Sequence, residues 1–137
     1  MKFSNIKLSN IFKKKPVLKI GYLSENFKES ELMCKGTKTL PEKGIDPKLL
    51  ELLEHIRAHF DAPVKINSGY RSPEHNAKVG GAKGSYHVKG MAADIVVKGV
   101  PAIKVYNYLN TTHYGGVGRY SRFTHVDVRE GKARWQG

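Results

Sequence analysis

Three side chains able to bind a metal ion recur at short spacings in the second half of the chain. His87 and Asp94 fall seven residues apart in SYHVKGMAAD, and His125 stands two residues before Asp127 in FTHVDV. Asp94 heads the β-branched run IVV, where an apolar core would have to absorb its charge. An isolated buried carboxylate is costly and is normally neutralised or paired. Coordination to a metal is one solution; an ion pair with one of the many Lys or Arg residues is the other. In a strand beginning near Ala92, alternate side chains take opposite faces, so Asp94 shares its face with Ala92 and Val96. Gly90 and Ala92 remove side-chain volume beside the acid, and Gly90 lets His87 fold back toward it. The same alternation sets His125 and Asp127 on one face of a second strand, with Thr124, Val126 and Val128 on the other. Two imidazoles and one carboxylate with an open fourth position have the make-up of a catalytic zinc site.

The elements that must position these residues are legible in part. DPKLLELLEHIRAHF predicts a helix: Asp46 can cap it, Pro47 suits its first position, and Leu49, Leu52, Leu53, Ile56 and Phe60 recur at helical spacing. His55 and His59 lie four apart on it, but without the glutamate of an HExxH arrangement they read as surface or packing histidines. PVKINS alternates as a strand. A turn at Gly69 leads to a short helix with Ser72 as cap and Pro73 at its first position. MAADIVVKG, GGVGRY and RFTHVDVRE read as strands and PAIKVYNYLN as a helix opened by Pro101. A short helix is expected from Ser30, and TKTLPEKG is a loop by its Pro and Gly. The ensemble predicts an α+β domain with a largely antiparallel sheet and flanking helices. ARWQG, with the single tryptophan Trp135, closes the chain and either packs beneath the site or lines its groove.

At 137 residues the chain has the length of one domain with a core of its own. The N-terminal residues 1–24 are basic and weakly patterned and read as a peripheral arm, with a short strand at VLKIGYL. They lack the apolar stretch and cleavage site of a secretory signal. No apolar run approaches a membrane span. One cysteine, Cys34, excludes an internal disulfide and a Cys-based zinc cage. It reads as a small half-buried hydrophobe. A net charge of +12 suggests attraction to a polyanion such as nucleic acid, anionic lipid or the acidic polymers of a bacterial wall. No zinc-finger spacing, RNA-binding signature or recognition helix supports specific nucleic-acid binding.

Ser85, His87, Gly90, Ala92 and Asp94 fill S-x-H-x-x-G-x-A-x-D at every fixed position. Preceded by SGYRSPEHN and followed by GGVGRYSRFTHVDVREGKARW, the pattern resembles the zinc D-Ala-D-Ala carboxypeptidases and related peptidoglycan endopeptidases. That fold is shared with the N-terminal domain of hedgehog proteins. The resemblance covers about Asn26 to Trp135 and implies a zinc peptidase domain over residues 25–137. It implies one Zn2+ per chain on His87, Asp94 and His125, and hydrolysis of amide bonds in peptidoglycan stem peptides or crosslinks. Arg71 matches an arginine thought to stabilise the oxyanion in that family; the alternative is an arginine that pins a turn. Ser85 orients a ligand, contacts substrate or caps its loop.

The pattern departs from the family at one point. Many relatives carry an acid or histidine two or three residues before the second zinc histidine, where this chain has Phe123 and Arg122. Asp127 is the best replacement as base, its alternative being to hold an imidazole or pair with Arg129 or Arg134. His75, His113 and Glu74 are weaker candidates. The departure leaves open a non-catalytic, zinc-containing wall-binding module on the same fold. An enzyme without a secretory signal would be made in the cytoplasm and reach the wall on lysis, as phage lysins do.

Overall fold

The computed structural model describes residues 17–137. Most of the expected basic arm, with Lys13, Lys14 and Lys15, lies outside the described residues. The strand expected at VLKIGYL does not form. Val17 and Ile20 project fully into solvent, and pairing there is confined to one bridge between Tyr22 and Lys28.

Among the described residues, four helices and five strands follow in the order α1 (Glu29–Leu32), α2 (Pro47–Phe60), β1 (Val64–Ser68), α3 (Pro73–Lys78), β2 (Ala92–Val97), α4 (Ala102–Thr112), β3 (Gly116–Arg119), β4 (Thr124–Asp127) and β5 (Ala133–Gln136). The strands make one sheet in the order β1-β2-β4-β3-β5, and the expected α+β class is found. All neighbours are antiparallel except β3 and β5, which run parallel. The sequence does not announce β5. ARWQ alternates over only four residues, too few to mark a strand, and β3 supplies the ladder that makes it one.

α2 starts as its sequence dictates. The Asp46 carboxylate accepts from the Lys48 N–H at 2.8 Å, and Pro47 fills a position whose amide would have no partner. Leu49, Leu53 and Ile56 lose all solvent contact against Ile66, Ala93, Ile95, Val97 and Val126, which occupy the face of the sheet away from Asp94. Burial of such aliphatic side chains contributes roughly 1.5–3 kcal/mol each. His55 and His59 are spent on α4: His59 stacks on Tyr108 at 3.6 Å, and His55 Nε2 is hydrogen-bonded to the Tyr108 hydroxyl at 2.6 Å. α1 begins at Glu29 rather than Ser30, because the Glu31 carboxylate accepts from the Lys28 N–H at 2.9 Å and moves the cap upstream. Cys34 is fully buried, more than the half-burial expected, and accepts from the Ser72 N–H at 3.3 Å.

The segment ahead of α1 is clasped to α2 by one acid. Glu54 accepts from the Ser24 hydroxyl (2.6 Å), the Asn26 N–H (2.7 Å) and the Asn26 side-chain amide (2.6 Å). Burial pushes its carboxyl up, but these hydrogen bonds outweigh burial and hold it below the ordinary value of 4.5. The unfolded chain therefore binds the proton first as pH falls. Glu54 contributes stability that is fully present above pH 4.5 and is lost as pH drops through the lower folded value. Glu54→Gln is expected to lower the unfolding midpoint at pH 7 and to flatten its decline between pH 5 and 3. Denaturant titrations of both proteins across that range check it; parallel curves would exclude the clasp.

Candidate metal centre

One row of paired residues crosses the sheet and builds the site. Ser68 pairs with Asp94, Asp94 with His125, His125 with Gly118, and Gly118 with Trp135. The row therefore presents Asp94 and His125 side by side, on the face opposite the apolar core. His87 arrives from the loop before β2. Its Nδ1 donates to the Gly69 carbonyl at 2.8 Å, which turns Nε2 to within 3.3 Å of Asp94 Oδ1. His125 Nδ1 approaches the same oxygen at 3.0 Å. Ligand atoms of the three residues lie within 4.8 Å of one another, and among the described residues they are the one group so placed.

Gly90 does a different job from the one its position suggests. It takes a left-handed conformation (φ 70°) against Pro41, where a Cβ would stand 2.9 Å from Pro41 Cγ. It turns the chain into β2 and makes no space beside Asp94. Ala92, paired with Asp127 on the neighbouring strand, is completely buried.

Arg71 completes the first layer. Nε donates to Ser68 Oγ (3.1 Å), Nη1 to Asn76 Oδ1 (3.1 Å) and Nη2 to Asp94 Oδ2 (3.4 Å). It thus pins the turn after β1 and also faces the site. Ser85 Oγ accepts from the His87 N–H at 3.2 Å, capping the loop at the cavity's edge. Both residues line a cavity of about 520 Å³ whose wall also includes His87, Asp94, His125 and Trp135.

Asp127 lies beneath this layer with no exposed surface. Oδ1 accepts from the Gly116 N–H (3.0 Å) and from Arg129 Nε (2.9 Å), and Oδ2 from Arg129 Nη2 and His125 Nε2 (both 2.8 Å). Glycine is required at 116, since any Cβ would collide with the Asp127 carboxylate. Arg134 pairs elsewhere, bracing Asn110 and the carbonyls of Gly115 and His113. His113 donates to the Asp127 carbonyl at 2.7 Å, away from the cavity wall. His75 packs on Gly36, and Glu74 is exposed on the first turn of α3.

The electrostatics suit a cation. Burial pushes the Asp94 carboxyl up, but hydrogen bonds from His125 and His87 and their charge hold it well below the carboxylate range. Burial also lowers His125, and its bonds to Asp127 and Asp94 more than reverse this. An imidazole with a carboxylate at each nitrogen calls for positive charge between the groups. A metal ion meets that demand, with both imidazoles already oriented through their second nitrogens.

The profile of the Peptidase M15 family matches residues 25–127. The chain belongs to the Peptidase M15 family. The chain is 34% identical over 128 residues to the probable peptidoglycan L,D-endopeptidase MepK of Haemophilus influenzae, covering 85% of this chain and 68% of that protein. It is 31% identical over 121 residues to the peptidoglycan L,D-endopeptidase MepK of Escherichia coli K12, covering 83% and 66% respectively. The family match bears out the resemblance carried by the two motifs, and a metallopeptidase of this family requires a metal.

Sequence reasoning missed Tyr86, Tyr120 and Arg129 as cavity residues. The Arg129 guanidinium lies 4.4 Å from the Tyr86 ring centre and 5.0 Å from that of Trp135. Its offset of two from Asp127 was the available signal. Asp127→Asn is expected to weaken metal affinity by about 10- to 100-fold, through loss of the charge that holds His125. Competition against a chromophoric chelator measures this; unchanged affinity would separate Asp127 from the metal.

Proposed function

We propose that the chain is a zinc-dependent peptidoglycan endopeptidase that hydrolyses an amide between an L- and a D-configured residue of wall peptides. The carrying observation is the convergence of His87, Asp94 and His125 at an open cavity, in a chain whose relatives are named for that activity. Two imidazoles and a carboxylate with one side free suit a single Zn2+. His87 Nε2, Asp94 Oδ1 and His125 Nδ1 would hold it. A bound zinc ion supplies Lewis-acid activation of water and polarisation of the scissile carbonyl.

The chain's own residues do the rest. Arg71, braced by Ser68 and Asn76, faces the carbonyl oxygen as negative charge gathers there. Ser85 holds the His87 loop and contacts substrate from the cavity's edge. Asp127 is a positioning residue for His125 rather than the base: its oxygens are occupied, and water cannot reach it. Arg122 and Phe123 carry no basic oxygen or imidazole, so the family's usual base position stays unfilled. The net charge of +12 suits an acidic wall. Among the described residues no helix is long and apolar enough to cross a membrane. The relatives' names favour turnover over a purely binding module.

Digests of purified peptidoglycan test this reading by mass spectrometry and by counting new amines. Zinc-loaded protein is expected to release them, chelation to stop release, and added zinc to restore it. Arg71→Ala is expected to lower kcat by about 10²- to 10³-fold with metal content unchanged. A protein carrying one zinc per chain that cuts no wall chemotype would overturn the assignment.

A further inference from the structure

Building on the peptidase reading, we propose that the Tyr120 hydroxyl is a substrate-binding group, donating a hydrogen bond to an oxygen of the bound peptide on the side of the metal cluster opposite Arg71. The row across the sheet sets the two sides apart. Arg71 bonds to Ser68 at the β1 end, and Trp135 closes the β5 end, with Asp94 and His125 between them.

Tyr120, in the turn between β3 and β4, lines the cavity together with Phe123 and Trp135. Its ring stacks on Phe123 at 4.4 Å with 11° between the planes. Its oxygen accepts from the indole N–H of Trp135 at 3.1 Å. An indole is a donor only, so this contact uses a lone pair of the phenol and leaves the phenol's proton uncommitted. Among the described residues that O–H has no acceptor.

The indole that orients it is itself fixed. Gly118 leaves the space it fills, since a Cβ there would stand 2.6 Å from Trp135 Nε1. The indole lies 5.0 Å from the His125 ring on the site face, with the Arg129 guanidinium also 5.0 Å from its centre. Phe123 has no polar atom and the Trp135 N–H is spent. The phenol proton is therefore a donor that this wall offers to a ligand, beside the Arg129 guanidinium, whose Nε and Nη2 are held by Asp127. Arg71 offers its guanidinium from the other side, and a peptide lying over the cluster meets a donor at each flank. Preorganised donors of this kind set the reach and orientation of the reacting amide.

The test uses zinc-loaded full-length chain and a phosphinate analogue of L-Ala-D-Ala, whose tetrahedral anion replaces the scissile amide. Calorimetry gives its affinity for wild type, Tyr120→Phe and Trp135→Phe, with bound zinc and melting temperature measured alongside. Tyr120→Phe keeps the stack on Phe123 and removes only the hydroxyl. It is expected to bind the analogue about 10-fold or more weakly, as befits a lost bond to a charged acceptor. Zinc content and melting temperature are expected to be unchanged. Trp135→Phe, which frees the phenol to reorient, is expected to show a smaller loss. The single tryptophan adds a metal-free readout, since emission from Trp135 shifts in Tyr120→Phe when the indole N–H loses its acceptor.

Binding by Tyr120→Phe within twofold of wild type would overturn the assignment and leave Tyr120 a packing residue. Wild type that binds the analogue but cuts no wall peptide would remove the peptidase reading while the affinity comparison still decides Tyr120. Wild type that binds no analogue would remove both.

Discussion

Asp94 places a carboxylate near the middle of a five-stranded sheet, and the surroundings are arranged around that charge. It is 9% exposed and faces two imidazoles and a guanidinium. A buried carboxylate without such partners would cost several kcal/mol and would protonate instead. With them it is held ionised, at a point where a divalent cation would complete the neutralisation. The strands on either side follow from this demand: β4 brings His125 into register and the turn after β1 brings Arg71.

The sheet meets two opposed requirements because its faces alternate. Ala93, Ile95, Val97 and Val126 point into the core beneath α2 and α4, while Asp94, His125 and Asp127 point the other way. A shift of β4 by a single residue would exchange the two sets, driving His125 into the core and Val126 into the cavity. Each core side chain that packs against α2 thereby also secures the register of the candidate metal ligands. Folding energy and site geometry are coupled through the same strands.

Beneath the ligands a second layer bears the load of orientation. Asp127 holds His125, Arg129 holds Asp127, and Tyr86 and Trp135 flank the guanidinium. This layer has no route to water at its centre, which suits alignment and excludes proton transfer with solvent. In a peptidase whose expected base position is occupied by Phe123, the division matters. On the proposed reading the reacting groups lie in the cavity wall, and the buried carboxylate serves them through His125.

Residue types and spacing by themselves singled out His87, Asp94 and His125 as a candidate trio and determined the α+β class and the caps of α2 and α3. Each depends on contacts within a few residues or on the two-residue period of a strand, both of which a linear reading captures. Tertiary structure decided the rest. β5 is a strand because β3 offers it a ladder, and the VLKIGYL segment is not one because, among the described residues, its pairing stops at the single Tyr22–Lys28 bridge. Gly90 turned out to serve packing against Pro41 rather than access to Asp94. Asp127 was ambiguous in sequence, since its offset from His125 fits either role; its complete enclosure by Gly116, Arg129 and His125 comes from β3 meeting the His125–Arg129 stretch. The cavity roles of Tyr120, Tyr86 and Arg129 were likewise invisible, because alternation within a strand says which face a side chain takes but not which distant loop it meets there.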